Sequence, residues 1–441
     1  MAAKDRKSMG YWGAVAIGVG GMVGGGIFAV LGLAVQLGRG GTPLAFLIAG
    51  GIAMLTAYSY AKLTVAWPSQ GGTVRFLDRA FGSGLLTGTL NILLWISYMV
   101  MLSLYAFAFG SYGATFFPDS MHTVAKHMLI SASIVGIAGL NLLGASIIGK
   151  AETWIVALKV TILLLFVAVG TLGIDTTRIS PSSWASPMQM VAGGMIIFLA
   201  YEGFELIANS GKDVRDPKKT LPKAFYSAVV FVILLYVAVA LVTVGNLSVA
   251  KVVEAKDYAL AEAARPFMGQ AGFMLIAFAA LLSTASAINA TLYGAARLSF
   301  TVAQDGELPD ELEKEVWDEP ILGLGITATV PLIVANLFDL SSISTMGSSG
   351  FLLIFAAINA ANFRAAKQTQ SHRWISAFGC LMCLAALGVL LWHTAVKSPA
   401  QIGILGGMLG ASFIIEGAYR LRKREIHFTE PRADSPNTQR P

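Results

Sequence analysis

The chain has 441 residues, of which 55% are hydrophobic and only 13% are charged, and its formal net charge is +6. Because soluble proteins usually carry about 25% charged residues, this composition excludes an ordinary soluble domain and predicts that most of the chain lies in a bilayer. The positive charge reflects an uneven distribution of Lys and Arg among loops, and does not indicate a nucleic-acid surface.

Twelve apolar stretches are long enough to be spanning helices, for which about 20 residues are needed. They lie at residues 11–37, 43–66, 85–116, 124–147, 152–174, 188–209, 222–246, 271–300, 322–338, 342–363, 374–396 and 401–420. The first stretch has no small-residue cleavage site, so we interpret it as a retained helix after a ten-residue N-terminus. Residues 421–441 contain three prolines and no periodic apolar face, which predicts a disordered tail.

An even number of spans puts both termini on one side of the membrane, and the basic residues indicate which side. The N-terminus, the even-numbered loops and the tail hold 21 Lys and Arg residues, against seven in the other loops. Both termini are therefore predicted to be cytoplasmic. The location that we expect is the cytoplasmic membrane of a prokaryote. The longest loop, around residues 303–320, is acidic and too short to be a separate domain.

The first span contains the glycine-rich stretch GVGGMVGGGIF, residues 18–28. A nucleotide-binding loop would need a preceding strand and a Gly-Lys-Ser/Thr sequence, neither of which is indicated. Close helix packing fits the pairs Gly20/Gly24 and Gly21/Gly25. A broken helix at Gly24–Gly26 would instead expose N–H groups that suit an anion such as a carboxylate. The packing and broken-helix interpretations are compatible.

The sixth span offers an internal test of the broken-helix interpretation. Transporters built from two inverted repeats break a helix at corresponding positions in each half, and the sixth span begins the second half. It contains AYEGFELIAN, with Gly203 between Glu202 and Glu205. Carboxylates within a membrane are costly and mark functional sites, although a structural ion pair is the alternative.

Together these motifs resemble those of the amino acid–polyamine–organocation superfamily, and most of all its archaeal ApcT-type, proton-coupled transporters. The resemblance rests on GVGGMVGGGIF, ILLWISY, WIVALKV, AYEGFELIANSGKDVRDPKKTLPKA, and SAINATLYGAARLSF followed by DGELP. It implies an all-α polytopic membrane protein with the leucine-transporter fold and with helices 1 and 6 unwound at the bilayer midplane. The first repeat would occupy residues 11–174, the inverted repeat 188–363 and two accessory helices 374–420.

The resemblance also implies where a substrate amino acid would bind. The N–H groups of Gly24, Gly25 and Gly26 would hold its carboxylate. The other substrate-binding candidates are backbone carbonyls near Met22, Leu199, Ala200 and Glu202 for the ammonium, the aromatic gate Phe198, the acid Glu205, and the pocket residues Met101, Tyr105, Asn289 and Thr291. For the pocket residues, ordinary packing between helices is the alternative.

Lys159 lies deep in the fifth span, where its neighbours at helical spacing are all apolar. Desolvation favours the neutral amine, so such a lysine can bind and release a proton near neutral pH. The resemblance implies that it replaces a sodium ion beside the first and eighth helices, near Ser283, Thr284 and Ser286. We expect proton coupling without sodium, metal or organic cofactor; the alternative is a structural lysine in an exchanger or facilitator.

Glu202 departs from the family pattern, in which a small or apolar residue is expected. It would favour a cationic substrate or act as a second proton carrier.

The sequence thus predicts secondary active uptake of amino acids with protons by alternating access, and no enzymatic activity. An amine, polyamine or cationic amino acid carrier or exchanger, including a sodium-coupled one, is the alternative. A membrane sensor or enzyme is disfavoured, because the five histidines are scattered and the lone Cys380-x-x-Cys383 suits helix packing. The expected partners are a small amino acid or amine and the lipid bilayer, without nucleic acid.

Overall fold

A computed structural model describes residues 9–142, 148–304 and 321–429. The predicted N-terminal segment up to residue 8, the end of the fourth span at 143–147, the acidic loop from residue 305 and the tail from residue 430 lie outside the described residues. The helices are Tyr11–Met22 (α1), Gly26–Gly38 (α2), Thr42–Ala66 (α3), Gly72–Phe81 (α4), Leu85–Ala114 (α5), His122–Leu142 (α6), Ile148–Gly170 (α7), Pro187–Ile196 (α8), Leu206–Asn209 (α9), Pro217–Asn246 (α10), Val249–Glu254 (α11), Ala259–Gln304 (α12), Ile321–Leu337 (α13), Leu340–Arg364 (α14), Ala366–Thr369 (α15), Arg373–Lys397 (α16) and Pro399–Thr429 (α17).

Among the described residues, nine helices are long and apolar enough to cross a membrane, or eleven spans if two bent pairs each count as one. The first bent pair is α1 and α2, which meet at 49°. The second is α8 and the segment Phe198–Asn209, at 53°. Together with the shorter apolar helix Leu322–Leu337, these elements fall in chain order on the twelve predicted stretches.

Three helical segments differ from the prediction. α12 begins at Ala259 and contains a break at Gly269, whereas the predicted span starts at residue 271. α17 continues beyond residue 420 to Thr429, so the first residues of the predicted disordered tail are helical. α4 is an additional helix between the second and third predicted spans. Apolar periodicity in a sequence shows which face of a helix is buried. It does not show where polar turns continue the helix beyond its apolar part.

The two bent helix pairs contact each other at two glycines, Gly21 and Gly203. A Cβ atom built on Gly203 would lie 2.4 Å from the carbonyl carbon of Gly21, and one built on Gly21 would lie 2.7 Å from the Gly203 oxygen. Gly203 also has a φ angle of +114°, which favours glycine because it has no Cβ. The backbones of α1 and of the segment after α8 therefore touch directly, in keeping with the packing interpretation of Gly21.

α5 lies at the centre of the bundle and packs against α6, α12, α13, α14 and α17. α10 packs along α1 and α3, and α14 contacts the segment after α8. This arrangement encloses both helix breaks with side chains from α5, α10, α12 and α14.

Candidate substrate site at the helix breaks

Lys159 contacts the broken first helix. Its side chain is 1% exposed, and its Nζ donates to the carbonyl oxygen of Gly20 over 3.1 Å. α1 ends at Met22, so the Gly20 carbonyl lacks the N–H that would bind it in a continuous helix. The Lys159 Nζ atom therefore lies at the negative end of the α1 dipole, where a cation is favoured.

Two hydroxyl groups bind the other carbonyls that the break releases. The Tyr236 hydroxyl, from α10, donates to the Met22 oxygen over 2.6 Å. Ser283 Oγ, from α12, lies 3.2 Å from the Val23 oxygen and 2.7 Å from the Gly24 oxygen. Ser283 was a predicted residue, whereas Tyr236 was missed; the available signal was a lone tyrosine within the apolar run VILLYVAVALV.

The second break is held by two serines of α14. The Oγ atoms of Ser344 and Ser348 donate to the Ile196 oxygen over 2.6 Å and 2.8 Å, and Ser348 also accepts the Leu199 N–H over 3.1 Å. Neither serine was predicted. The serine-rich run LSSISTMGSSG at the start of α14 was the signal that could have found them.

The start of α2 offers hydrogen-bond donors. Gly25 is its N-cap residue and no side chain caps the helix there. The first N–H groups of a helix lack acceptors within it and attract negative charge. Gly26 packs against the second broken segment, since a Cβ built on it would lie 2.9 Å from the Ala200 Cα atom.

A cavity of about 1190 Å³ reaches the breaks from one side of the bundle. Its inner end is lined by residues from both broken segments and from α5 and α12, namely Gly20, Gly21, Tyr105, Glu202, Gly203, Ser286, Ala287 and Thr291. Its other end is lined by Arg75, Lys212 and Arg297, which belong to the predicted cytoplasmic side. The cavity therefore joins the helix breaks to the basic side of the molecule.

Two adjoining carboxylates lie at the second break, and both are buried, with Glu202 5% and Glu205 2% exposed. Glu205 accepts the Gly203 N–H over 2.8 Å and the Tyr98 hydroxyl over 3.1 Å. Glu202 lines the cavity and accepts the Tyr105 hydroxyl over 3.5 Å. Glu205 is thus fixed by the protein, while Glu202 faces the space that a ligand would fill.

Several predicted residues do not line this cavity. Phe198 packs against Phe355 of α14, with ring centroids 5.9 Å apart. Asn289 accepts a hydrogen bond from Asn141 over 2.9 Å, and Thr284 Oγ1 donates within its own helix to Ala280. The others that do not line it are Met22, Gly24, Gly25, Gly26, Met101, Lys159, Leu199, Ala200, Glu205 and Ser283.

Bent apolar helices that surround buried polar side chains are typical of a polytopic membrane protein. Comparison with known proteins identifies its family. Residues 9–412 match the amino acid permease family, so the chain belongs to that family, whose members are transporters and not enzymes.

Three relatives match between 78% and 95% of this chain. An uncharacterized protein from Methanocaldococcus jannaschii is 32% identical over 95% of this chain and 97% of its own length. The inner membrane transport protein YbaT of Escherichia coli is 32% identical over 91% of this chain and 94% of its own. The methylthioribose transporter of Bacillus subtilis is 27% identical over 78% of each chain.

Proposed function

We propose that this transporter takes up amino acids together with protons, through twelve spans that alternate access to one site. Both termini would lie in the cytoplasm of a prokaryotic cell. The observation that carries the proposal is the contact between Lys159 Nζ and the Gly20 carbonyl at the break of the first helix.

The site suits a zwitterion because each of its ends finds complementary groups. The uncapped start of α2 offers N–H donors to a carboxylate. Glu202, at the inner end of the cavity, offers an acceptor to an ammonium group. Both halves of the ligand are therefore recognised within the space between the two breaks, as is typical of transporters with broken helices.

Lys159 links a proton to this geometry. A charged ammonium donates a stronger hydrogen bond than a neutral amine, so protonation strengthens the contact with Gly20. Gly20 lies four residues before Gly24, and a change at this carbonyl is transmitted along the backbone to the carboxylate site. Because the amine occupies the break, no sodium ion is needed there.

Glu202 favours a second candidate within the same class, a carrier of amines or cationic amino acids. A carboxylate that lines the cavity attracts a positively charged side chain as well as an α-ammonium group. Uptake of basic and neutral amino acids in the same assay distinguishes the two candidates.

The first prediction is that Lys159→Ala abolishes accumulation driven by a pH gradient in proteoliposomes while amino acid binding remains. Alanine cannot carry the proton, but it leaves the donors of α2 and the Glu202 carboxylate in place. The measurement compares uptake of radiolabelled L-amino acids, with an inward proton gradient and without one, in wild type and variant.

Lys251→Ala is the matched control, because Lys251 is exposed at the surface and should leave uptake unchanged. Accumulation by Lys159→Ala that still follows the pH gradient contradicts the coupling role. Dependence of wild-type uptake on a sodium gradient contradicts proton coupling altogether.

A further inference from the structure

Tyr105 covers the carboxylate site from the cavity side. Its Cδ1 atom would lie 2.4 Å from a Cβ built on Gly25, so the ring rests directly on the start of α2. The cavity is lined by Tyr105 and by none of Gly24, Gly25 or Gly26. A carboxylate that enters through the cavity can reach these N–H groups only after the ring has moved.

The Tyr105 hydroxyl makes a long contact with Glu202. It donates to Glu202 Oε2 over 3.5 Å, a longer contact than either hydrogen bond received by Glu205. The Glu202 and Glu205 carboxyl groups adjoin each other. Glu202 is therefore the carboxylate of the pair that can most readily exchange its donor for a stronger one.

Moving the ring has a consequence for Glu202. The displaced hydroxyl no longer donates to a carboxyl group that is 5% exposed, which keeps only its contact with Glu205, and the loss of a donor to a buried acceptor is unfavourable. A ligand ammonium group replaces the hydroxyl with a charge-assisted hydrogen bond. A ligand that has only a carboxylate offers no replacement.

We propose that Tyr105 and Glu202 form a latch over the carboxylate site, which opens for ligands that carry both an ammonium and a carboxylate group. The latch rests on the proposed function and adds a specificity determinant to it. The ligand ammonium must replace the Tyr105 hydroxyl at Glu202 before the ligand carboxylate can reach the N–H groups of α2. Binding of the carboxylate therefore depends on binding of the ammonium.

Binding to the purified full-length protein tests the latch. The probes are the standard L-amino acids and one des-amino acid. The des-amino acid is the tightest-binding amino acid with hydrogen in place of its amino group. Wild type should prefer the amino acid by at least about 100-fold, because a site built for a donor rejects the analogue without it. Tyr105→Phe keeps the ring but removes the hydroxyl, and its preference should fall below about tenfold, mainly through tighter binding of the des-amino acid.

Two further variants make the outcome decisive. Glu202→Gln should also lower the preference, mainly through weaker binding of the amino acid. Tyr112→Phe is the matched control, since the Tyr112 hydroxyl on the same helix donates to the Phe28 oxygen over 3.0 Å, and its preference should equal that of wild type.

Amino acid binding with an unchanged preference in Tyr105→Phe and Glu202→Gln overturns the latch and leaves amino acid transport standing. Failure of every L-amino acid to bind wild type overturns both proposals.

Discussion

Gly203 is a residue at which one added methyl group conflicts with the fold in two ways. Its φ angle of +114° is unfavourable for any side chain, and the Gly21 carbonyl carbon lies 2.4 Å from where the Cβ would be placed. Both obstacles are formed by backbone, so no side-chain rotation relieves them.

We expect Gly203→Ala to lower the free energy of unfolding by at least about 2 kcal/mol, because backbone strain and the clash with Gly21 add. The matched control is Gly51→Ala in α3, where a Cβ would meet nothing within 4 Å and alanine is the better helix former. Thermal unfolding in detergent measures both variants. Equal melting temperatures for Gly203→Ala and wild type would contradict the backbone contact.

The sequence could predict which residues interrupt the two helices, but not which side chains contact those residues. Composition and spacing indicate that glycines interrupt the first span and that Gly203 interrupts the sixth. They do not reveal that the Tyr105 ring lies on Gly25 or that Phe198 packs against Phe355, because both contacts depend on how α5 and α14 approach the breaks. Asn289 likewise looked like a pocket residue until its partner Asn141, far away in sequence, was known.

At the level of the elements, each interrupted helix depends on other helices for its hydrogen bonds. The carbonyl groups released at the break of the first span are bound by Lys159, Tyr236 and Ser283. The Ile196 carbonyl of α8 is bound by two serines of α14. Helical periodicity reports the faces of a helix but not the identity of such partners, which is why Tyr236, Ser344 and Ser348 were missed.

Replacing both Ser344 and Ser348 by Ala should destabilise the protein by about 1–3 kcal/mol, because the buried Ile196 carbonyl and Leu199 N–H lose their partners. Either single replacement should cost less, since the remaining serine still binds Ile196. Chemical or thermal unfolding of the three variants measures this. Additive effects of the two single replacements would show that the serines do not share one acceptor.

At the level of the whole molecule, the cavity distinguishes one side of the helix bundle from the other. It runs from the helix breaks to Arg75, Lys212 and Arg297, on the side where basic residues are enriched. The other predicted side carries the ion pair of Lys126 and Asp257, 2.7 Å apart, with Lys126 Nζ 3.7 Å from the Phe107 ring centroid. The distribution of basic residues predicts that the cavity opens to the cytoplasm.

Cysteine labelling tests this orientation in a variant whose Cys380 and Cys383 are replaced by alanine. Thr176→Cys, in the loop before α8, should react with a membrane-impermeant maleimide in intact cells. Gln368→Cys, between α14 and α16, should react only after the cells are opened, and both positions are exposed in the folded chain. The reverse pattern would place the cavity mouth outside the cell.

The contact between Lys159 and Gly20 has a consequence for the environments in which the protein can work. A cation attached to the chain has an effective concentration at its site that the surrounding medium does not set. A dissolved ion at the same carbonyl would be lost whenever its external concentration fell below its dissociation constant. Under the proposed role of Lys159, we therefore expect the first helix break to stay intact whatever the salt concentration outside the cell.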